Sequence, residues 1–502
     1  MITQKTENFV KILARGGIII FTGSIIGKVF RFLFFICLIR VLGASLYGLY
    51  SIGQSIVDIL TNIGLLGDGK GFIRFAAGFH QENDTPRLRG MIKSYIFICL
   101  ALSSIIAITL FLNVGYLSSR VFHSRDLAGV LKIFALSFPF YIFSLIVIPI
   151  GFAFQKVEYK VIIQELAQPV INIIAVIIIF FLGARLYGAV AAFFISSVIT
   201  AILGFYLLKG LYPKVTPGSK AIFEIKKLVV YSLPIIGILF CYYLLFRLDR
   251  IILGMYRTPF EVGIYSAASN TAICILVFSG IFDASFLPVI TQLYHNNDNA
   301  ELKRLYNCLT MWVACIAFIP CLILIIFNKE VVSLFGRGLN AAEPVLVILS
   351  ISFFIDIIYG QGRQLLQMSS HQNTELVNSL AMIILNVALN LILIPSFGIM
   401  GAAFAFLFTK IAMSVVRTTE LRVIFGFIPF NSRYLKFLAY VIFSMALGIL
   451  TLTNSNIVLK STMTVFIFLI FILIIYKLRL EEDVIVWNLL KSKLAVNGFM
   501  DL

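Results

Sequence analysis

Four basic side chains stand where an apolar sequence has little use for charge. Lys28 and Arg31 sit near the middle of the first apolar stretch, and Arg247 and Arg250 lie in the run RLDRIILG. Lys28 is about 18 Å of helix from Gly16 and about 21 Å from Leu42 at ~1.5 Å per residue, beyond the reach of a snorkelling side chain. At about 100° per residue, Gly17, Ser24, Lys28 and Arg31 share one helix face. That polar stripe must look into protein or a wet cavity, where fixed cations suit an anionic group that has lost its water. The alternatives are a buried ion pair or a lipid-headgroup contact, with snorkelling open to Arg250.

Acidic residues at depth are fewer. Asp58, with Asn62 one turn on, and Asp356 lie near mid-membrane, and Asp249 stands between two arginines. These are candidates for ion coupling, because a buried carboxylate can titrate or hold Na⁺ with amide and carbonyl oxygens. For Asp249 the other reading is neutralisation of a neighbouring arginine. Asp68, Asp283 and Glu165 with Gln168 fall near helix ends and read as charges at the wet rim. Gln54, Tyr242, Tyr243 and Asn270, with Gln361, Asn386 and Asn390, offer the amide and aromatic surface that sugars use, or serve as interhelical hydrogen bonds and packed rings.

Other chemistries are poorly supported. GLLGDGKG, from Gly64 to Gly71, puts Gly71 where a phosphate-binding loop needs Ser or Thr, and it follows an apolar helix instead of a strand. The four histidines are scattered, with no H-E-x-x-H or C-x-x-C, so neither a metal site nor a cofactor is expected. The seven cysteines fall in or beside apolar segments and read as small hydrophobes.

The elements that must hold these groups are membrane helices. At 60% hydrophobic and 13% charged residues, with mean hydropathy +1.02, most of the apolar area needs a bilayer. Apolar stretches of roughly 18 to 28 residues recur, each long enough to cross about 30 Å of hydrocarbon, about fourteen in all. They cover residues 14–41, 46–68, 91–114, 128–153, 161–182, 186–208, 228–255, 263–289, 306–327, 343–367, 376–394, 398–424, 433–453 and 459–477. Pro234 and Gly237 are candidate bends in the seventh. The first span has no cleavage signature and reads as retained. The net charge of +17 is spread over alternate short loops, which argues against nucleic acid and, by the positive-inside rule, places both termini in the cytoplasm.

The chain also repeats itself. Gly48, Tyr50, Ser51, Asp68, His80 and Arg89 each have an identical mate about 215 positions later, at Gly263, Tyr265, Ser266, Asp283, His295 and Arg304. GAVAAFF from Gly188 is echoed by GAAFAFL from Gly401. Six spans per copy is an even number, so both copies enter the membrane in the same sense. The expectation is an all-α polytopic membrane protein of two pseudo-symmetric six-helix lobes plus a C-terminal helix pair. Residues 1–210 form the N-terminal lobe, 211–227 a Pro- and Gly-containing cytoplasmic linker, 228–428 the C-terminal lobe, 429–480 the accessory pair and 481–502 a cytoplasmic tail.

RVLGASLYGLYS after a first span with mid-membrane cations, then DRIILG and VGIYSAAS around spans 7 and 8, resemble the polysaccharide transporter family. These are the Wzx-type flippases of the multidrug/oligosaccharidyl-lipid/polysaccharide exporter superfamily, and the resemblance covers nearly the whole chain. It implies a plasma-membrane flippase for polyprenyl-pyrophosphate-linked oligosaccharide, working by alternating access, coupled to H⁺ or Na⁺ and without enzymatic activity. Lys28, Arg31, Arg247 and Arg250 would meet the headgroup while the lipid tail stays in the bilayer. A monomer is expected, with association with polysaccharide polymerase machinery left open. Competing readings are a multidrug or cation exporter of the same superfamily and a membrane-embedded polymerase or glycosyltransferase. The short outer loops and the lack of acids clustered with His weigh against the enzyme.

Overall fold

The computed structural model describes residues 2–181, 183–211, 221–277, 293–294, 299–336, 338–360, 362–369, 371–427, 430, 432–450 and 457–478. Asp283, His295, Gln361, linker residues 212–220 and the tail from 479 lie outside the described residues. All regular structure among the described residues is helical. Eight of the helices are long and apolar enough to cross a bilayer, and this is a multi-pass all-α membrane protein.

Helix α1 runs Ile2–Gly64. At ~1.5 Å per residue it would be about 95 Å long if straight, three bilayer cores end to end, so it must fold back. Gly43 does this with φ 72° and ψ 167°, a conformation an L side chain resists. Helix α2 is Lys70–Gln81 and α3 is Thr85–Val121, the latter capped by Asp84, whose carboxylate accepts the Arg87 amide at 3.1 Å. Helices α4 (Asp126–Ala153), α5 (Glu158–Phe181), α6 (Leu186–Leu211) and α7 (Ile225–Tyr256) follow. The last is continuous through Pro234. Helix α8 is Pro259–Ala272.

Glycine contacts fix the directions of these helices. Gly23 lies on Val161 and Gly27 on Glu165, so the first limb of α1 runs parallel to α5. Gly53 lies on Phe134 and Gly64 on Ile142, so the second limb runs parallel to α4. The same limb runs antiparallel to α7, with Ile52 on Gly254 and Gly67 on Ile235. This alternation is what successive membrane crossings require. The limb is held to α4, and α4 to α6, by tilted and edge-on rings: Tyr50 to Phe134 at 5.5 Å, Phe134 to Phe193 at 5.2 Å and Tyr141 to Phe193 at 5.3 Å.

The chain packs as two compact units, one of residues 19–267 with 383–402, the other of 1–18, 268–382 and 403–502. Helix α7 and the start of α8, from the second repeat, thus pack with the first repeat. There the duplicated motif meets itself. The Ser51 and Ser266 hydroxyls are 2.6 Å apart. A Cβ at Gly48 would fall 1.8 Å from the carbonyl oxygen of Pro259, and one at Gly263 would fall 2.0 Å from that of Ala44. Repeat mates can touch only where the two copies of the motif come face to face, as they do at Ser51 and Ser266. A Gly48→Val protein should lose at least ~2 kcal/mol of stability, since a backbone carbonyl has no rotamer by which to yield. Thermal unfolding in detergent measures this, and an unchanged midpoint would contradict the packing.

The other unit is built on α9 (Asn299–Ile326), with α10 (Asn328–Ser333) and α11 (Ala342–Ile358). Helix α12 is Gly362–Met368. Helix α13, Gln372–Phe425, contributes to both units and reverses at Gly398 (φ 58°, ψ −130°). Its two limbs come together at their far ends, where Arg417 pairs with Glu375 and the Asn378 amide donates to Glu420 at 2.6 Å. The accessory pair, α14 (Ser432–Leu450) and α15 (Ile457–Leu478), docks on this unit. Phe318 of α9 meets Phe471 at 5.1 Å, the Tyr434 hydroxyl donates to the Ile358 carbonyl at 2.6 Å, and buried Lys460 pairs with Glu330 at 2.9 Å.

Candidate functional site

Several of the singled-out residues converge in the unit of residues 19–267 with 383–402. Arg247 of α7 pairs with Asp58 of α1 at 2.8 Å, and Gln54 donates to the other oxygen of the same carboxylate at 2.8 Å. One turn separates Gln54 from Asp58, so both fall on the face that α7 covers. Arg31 pairs with Glu165 of α5 at 3.1 Å. Tyr141 of α4, whose ring packs on Phe193 at 5.3 Å, has Asp58, Arg31 and Arg247 among the charges that act on it. On the side of residues 62–68, the Tyr243 hydroxyl donates to Asp68 at 3.2 Å and the Asn62 amide to the Ile236 carbonyl at 3.0 Å. Lys28 is half-buried one turn before Arg31.

A second node adjoins the first on α7. Asp249 is 3% exposed; Tyr265 donates to one of its oxygens at 2.8 Å and Asn390 to the other at 2.8 Å. The Asn390 amide also lies 3.0 Å from the side-chain oxygen of Asn386. Arg250 is 3% exposed and lies within reach of Arg247, Asp58, Tyr47 and Tyr265. It therefore does not snorkel: the contact of α7 with the second limb of α1 covers it. Burying Asp249 beside it keeps the region from accumulating uncompensated charge.

The remaining candidates lie elsewhere. Tyr242 points outward, 38% exposed. Asn270 and Asp356 belong to the other unit. There Asp356 pairs with buried Lys410 at 2.8 Å.

A unit with paired cations within its apolar helices, built on a duplicated motif, can now be set beside known proteins. A sequence profile for the family described as "Polysaccharide biosynthesis protein" matches residues 13–294, more than half of the chain. The chain belongs to that family. A second profile, MatE, matches residues 234–392. Among sequence relatives, the "Probable low-salt glycan biosynthesis flippase Agl15" of Haloferax volcanii is 27% identical over 193 residues, 37% of this chain and 39% of that protein. The match thus spans less than half the relative's length. Among solved structures, "Lipid II flippase MurJ, inward closed conformation" has a TM-score of 0.67 at 15% identity, covering 91% of this chain and 99% of that one. An inward-facing multidrug resistance MATE family transporter of the MOP superfamily has a TM-score of 0.65 at 14% identity, covering 80% and 94%. At such identities the likeness is one of fold, that of the multidrug/oligosaccharidyl-lipid/polysaccharide exporters.

In this polysaccharide biosynthesis family member, two residues stand out that the sequence reading placed at the rim or passed over. Glu165 is not at a wet rim; it is 6% exposed and is Arg31's partner. Helix α1 continues back to Ile2, so depth counted from Gly16 does not give the register against α5. The usable signal was Gly23 and Gly27, a small-x-x-x-small pair that brings another backbone close. Tyr141 sits in an apolar run, FPFYIF, that carries no polar periodicity to mark it.

Proposed function

We propose that this protein is a flippase moving polyprenyl-pyrophosphate-linked oligosaccharide from the cytoplasmic to the outer leaflet of the plasma membrane, with both termini in the cytoplasm. The observation that carries the reading is that Arg31, Arg247 and buried Arg250 belong to one unit, the first paired with Glu165 and the second with Asp58. A pyrophosphate crossing ~30 Å of hydrocarbon loses its hydration, and charge-assisted contacts from guanidinium groups replace it in a planar, two-pronged geometry. Lys28 adds a further cation one turn away, and Gln54 and Tyr243 supply hydrogen-bonding surface for the first sugars.

Alternating access of two six-helix lobes, residues 1–210 and 228–428, carries the headgroup across. The Ser51–Ser266 contact lies about 4.5 Å of helix from Gln54 and about 10 Å from Asp58, toward the outer surface in the proposed topology. It is a thin seal between the site and the outside. Asp249 with Asn386 and Asn390 is the coupling site: a buried carboxylate that now accepts from Tyr265 and the Asn390 amide exchanges these contacts for H⁺ or Na⁺. The names of relatives such as Agl15 support the substrate class.

Reconstituted into proteoliposomes, the protein should expose a labelled lipid-linked oligosaccharide to the opposite leaflet faster than protein-free vesicles do. Equal rates would refute the proposal. The MatE match over α7 and α13, with buried Asp249 in it, favours a second reading as a cation exporter. The cations Lys28, Arg31, Arg247 and Arg250 disfavour it, because a cationic drug would meet like charge at each.

A further inference from the structure

Two of the headgroup cations come with a carboxylate of their own: Glu165 lies 3.1 Å from Arg31, and Asp58 lies 2.8 Å from Arg247. The carboxylates are the more buried partners, at 8% and 16% side-chain exposure against 42% and 23% for the arginines. Each acid is therefore set behind its arginine, whose outward edge is the part a ligand can reach. Transport does not require this arrangement. Bare arginines would bind a pyrophosphate more tightly, since each carboxylate repels the incoming anion and competes for the same N–H groups.

The bilayer explains why they are there. A site open to lipid faces a large excess of phosphodiester headgroups, each carrying one negative charge. With unpaired arginines, such a headgroup would occupy the site whenever substrate was absent. With Glu165 and Asp58 in place, a monoanion can only exchange one carboxylate for one phosphate, with no net electrostatic gain. A pyrophosphate carries at least two charges on adjacent phosphates, so one molecule can displace both carboxylates and loses its translational freedom once, where two separate headgroups would lose it twice.

We infer that Glu165 and Asp58 are specificity-determining counter-ions that set a charge threshold, admitting pyrophosphate-linked lipids and rejecting single-phosphate membrane lipids. This rests on the flippase reading above. The backbone is consistent with a carboxylate that gives way: Glu165 lies in the π-helical turn Val161–Ala167 within α5. Such turns are wider than α-helix, recur at functional sites and can rewind. Gly27 lets α1 approach Glu165 closely: a Cβ there would come 2.5 Å from the carboxylate oxygen.

The test uses the full-length protein in nanodiscs with farnesyl pyrophosphate as the probe. In discs of phosphatidylcholine alone, Glu165→Gln should bind the probe roughly fivefold more tightly than the parent, because the amide keeps the shape and loses the charge. Replacing about a third of the lipid with phosphatidylglycerol should weaken parental binding less than about twofold and the variant's more than about fivefold. A purely structural ion pair predicts weaker binding by the variant and equal lipid sensitivity in both proteins, and either result overturns the inference. Asp58→Asn gives an independent copy of the experiment should Glu165→Gln fold poorly. If the parent binds the probe but discriminates no better than both variants, the counter-ion role falls and the flippase reading stands. If the parent does not bind the probe at all, both fall.

Discussion

A protein carrying Ser51→Cys with Ser266→Cys should stop transporting when oxidised and resume when reduced. The two hydroxyl oxygens are 2.6 Å apart, so the sulfurs that replace them start close to the ~2.05 Å bond of a disulfide. The polar contact they lock holds little energy in the parent: one neutral hydrogen bond, worth ~1 kcal/mol net. A covalent bond there holds the outer ends of the two repeats together through the whole cycle. Each single-cysteine protein should transport at close to the parental rate, oxidised or not, which separates the lock from damage to native cysteines. Undiminished transport by the fully cross-linked protein would make this contact a fixed pivot instead of a gate.

The second large effect is expected at the cations. Arg31→Ala combined with Arg247→Ala should lower the flipping rate at least ~100-fold, because two charge-assisted contacts of ~1.5 kcal/mol each are lost together. The alanines also strand Glu165 and Asp58, whose partners they are, and a stranded buried carboxylate destabilises the fold by itself. Arg31→Lys with Arg247→Lys controls for this. It keeps both charges, loses the two-pronged geometry, and should retain activity within about tenfold of the parent. Equal loss in the alanine and lysine proteins, with both normally folded, would point to packing and not to headgroup charge.

Much of the architecture could be read from the chain. The apolar stretches gave the all-helical, multi-pass class, since a bilayer leaves a helix few other lengths, and the spacing of Gly48, Tyr50 and Ser51 from their mates revealed the duplication. The depth of Lys28, Arg31 and Arg247 marked them because charge at that position needs a reason. What stayed hidden was pairing. Sequence spacing says that Gly48 and Gly263 correspond, but only the fold shows that they touch, because mates meet solely where the two copies of the motif come face to face. Glu165 was misplaced because helix register is set by where neighbouring backbones pack, at Gly23 and Gly27, and not by where the apolar run begins. Arg250 resembled a snorkelling residue until the packing of α7 against α1 covered it. Tyr141 had no polar neighbour in sequence; the charges that act on it, Arg31, Asp58 and Arg247, come from two other helices.

The central claim is that this site is matched to an anionic lipid headgroup. The most direct measurement sets two solutes against each other in the same proteoliposomes: a fluorescent polyprenyl-pyrophosphate-linked oligosaccharide and a lipophilic cationic dye. The account predicts that the lipid-linked oligosaccharide crosses in a protein-dependent way, that the dye does not, and that excess dye leaves lipid flipping unchanged. Protein-dependent movement of the dye with no movement of the lipid would contradict it.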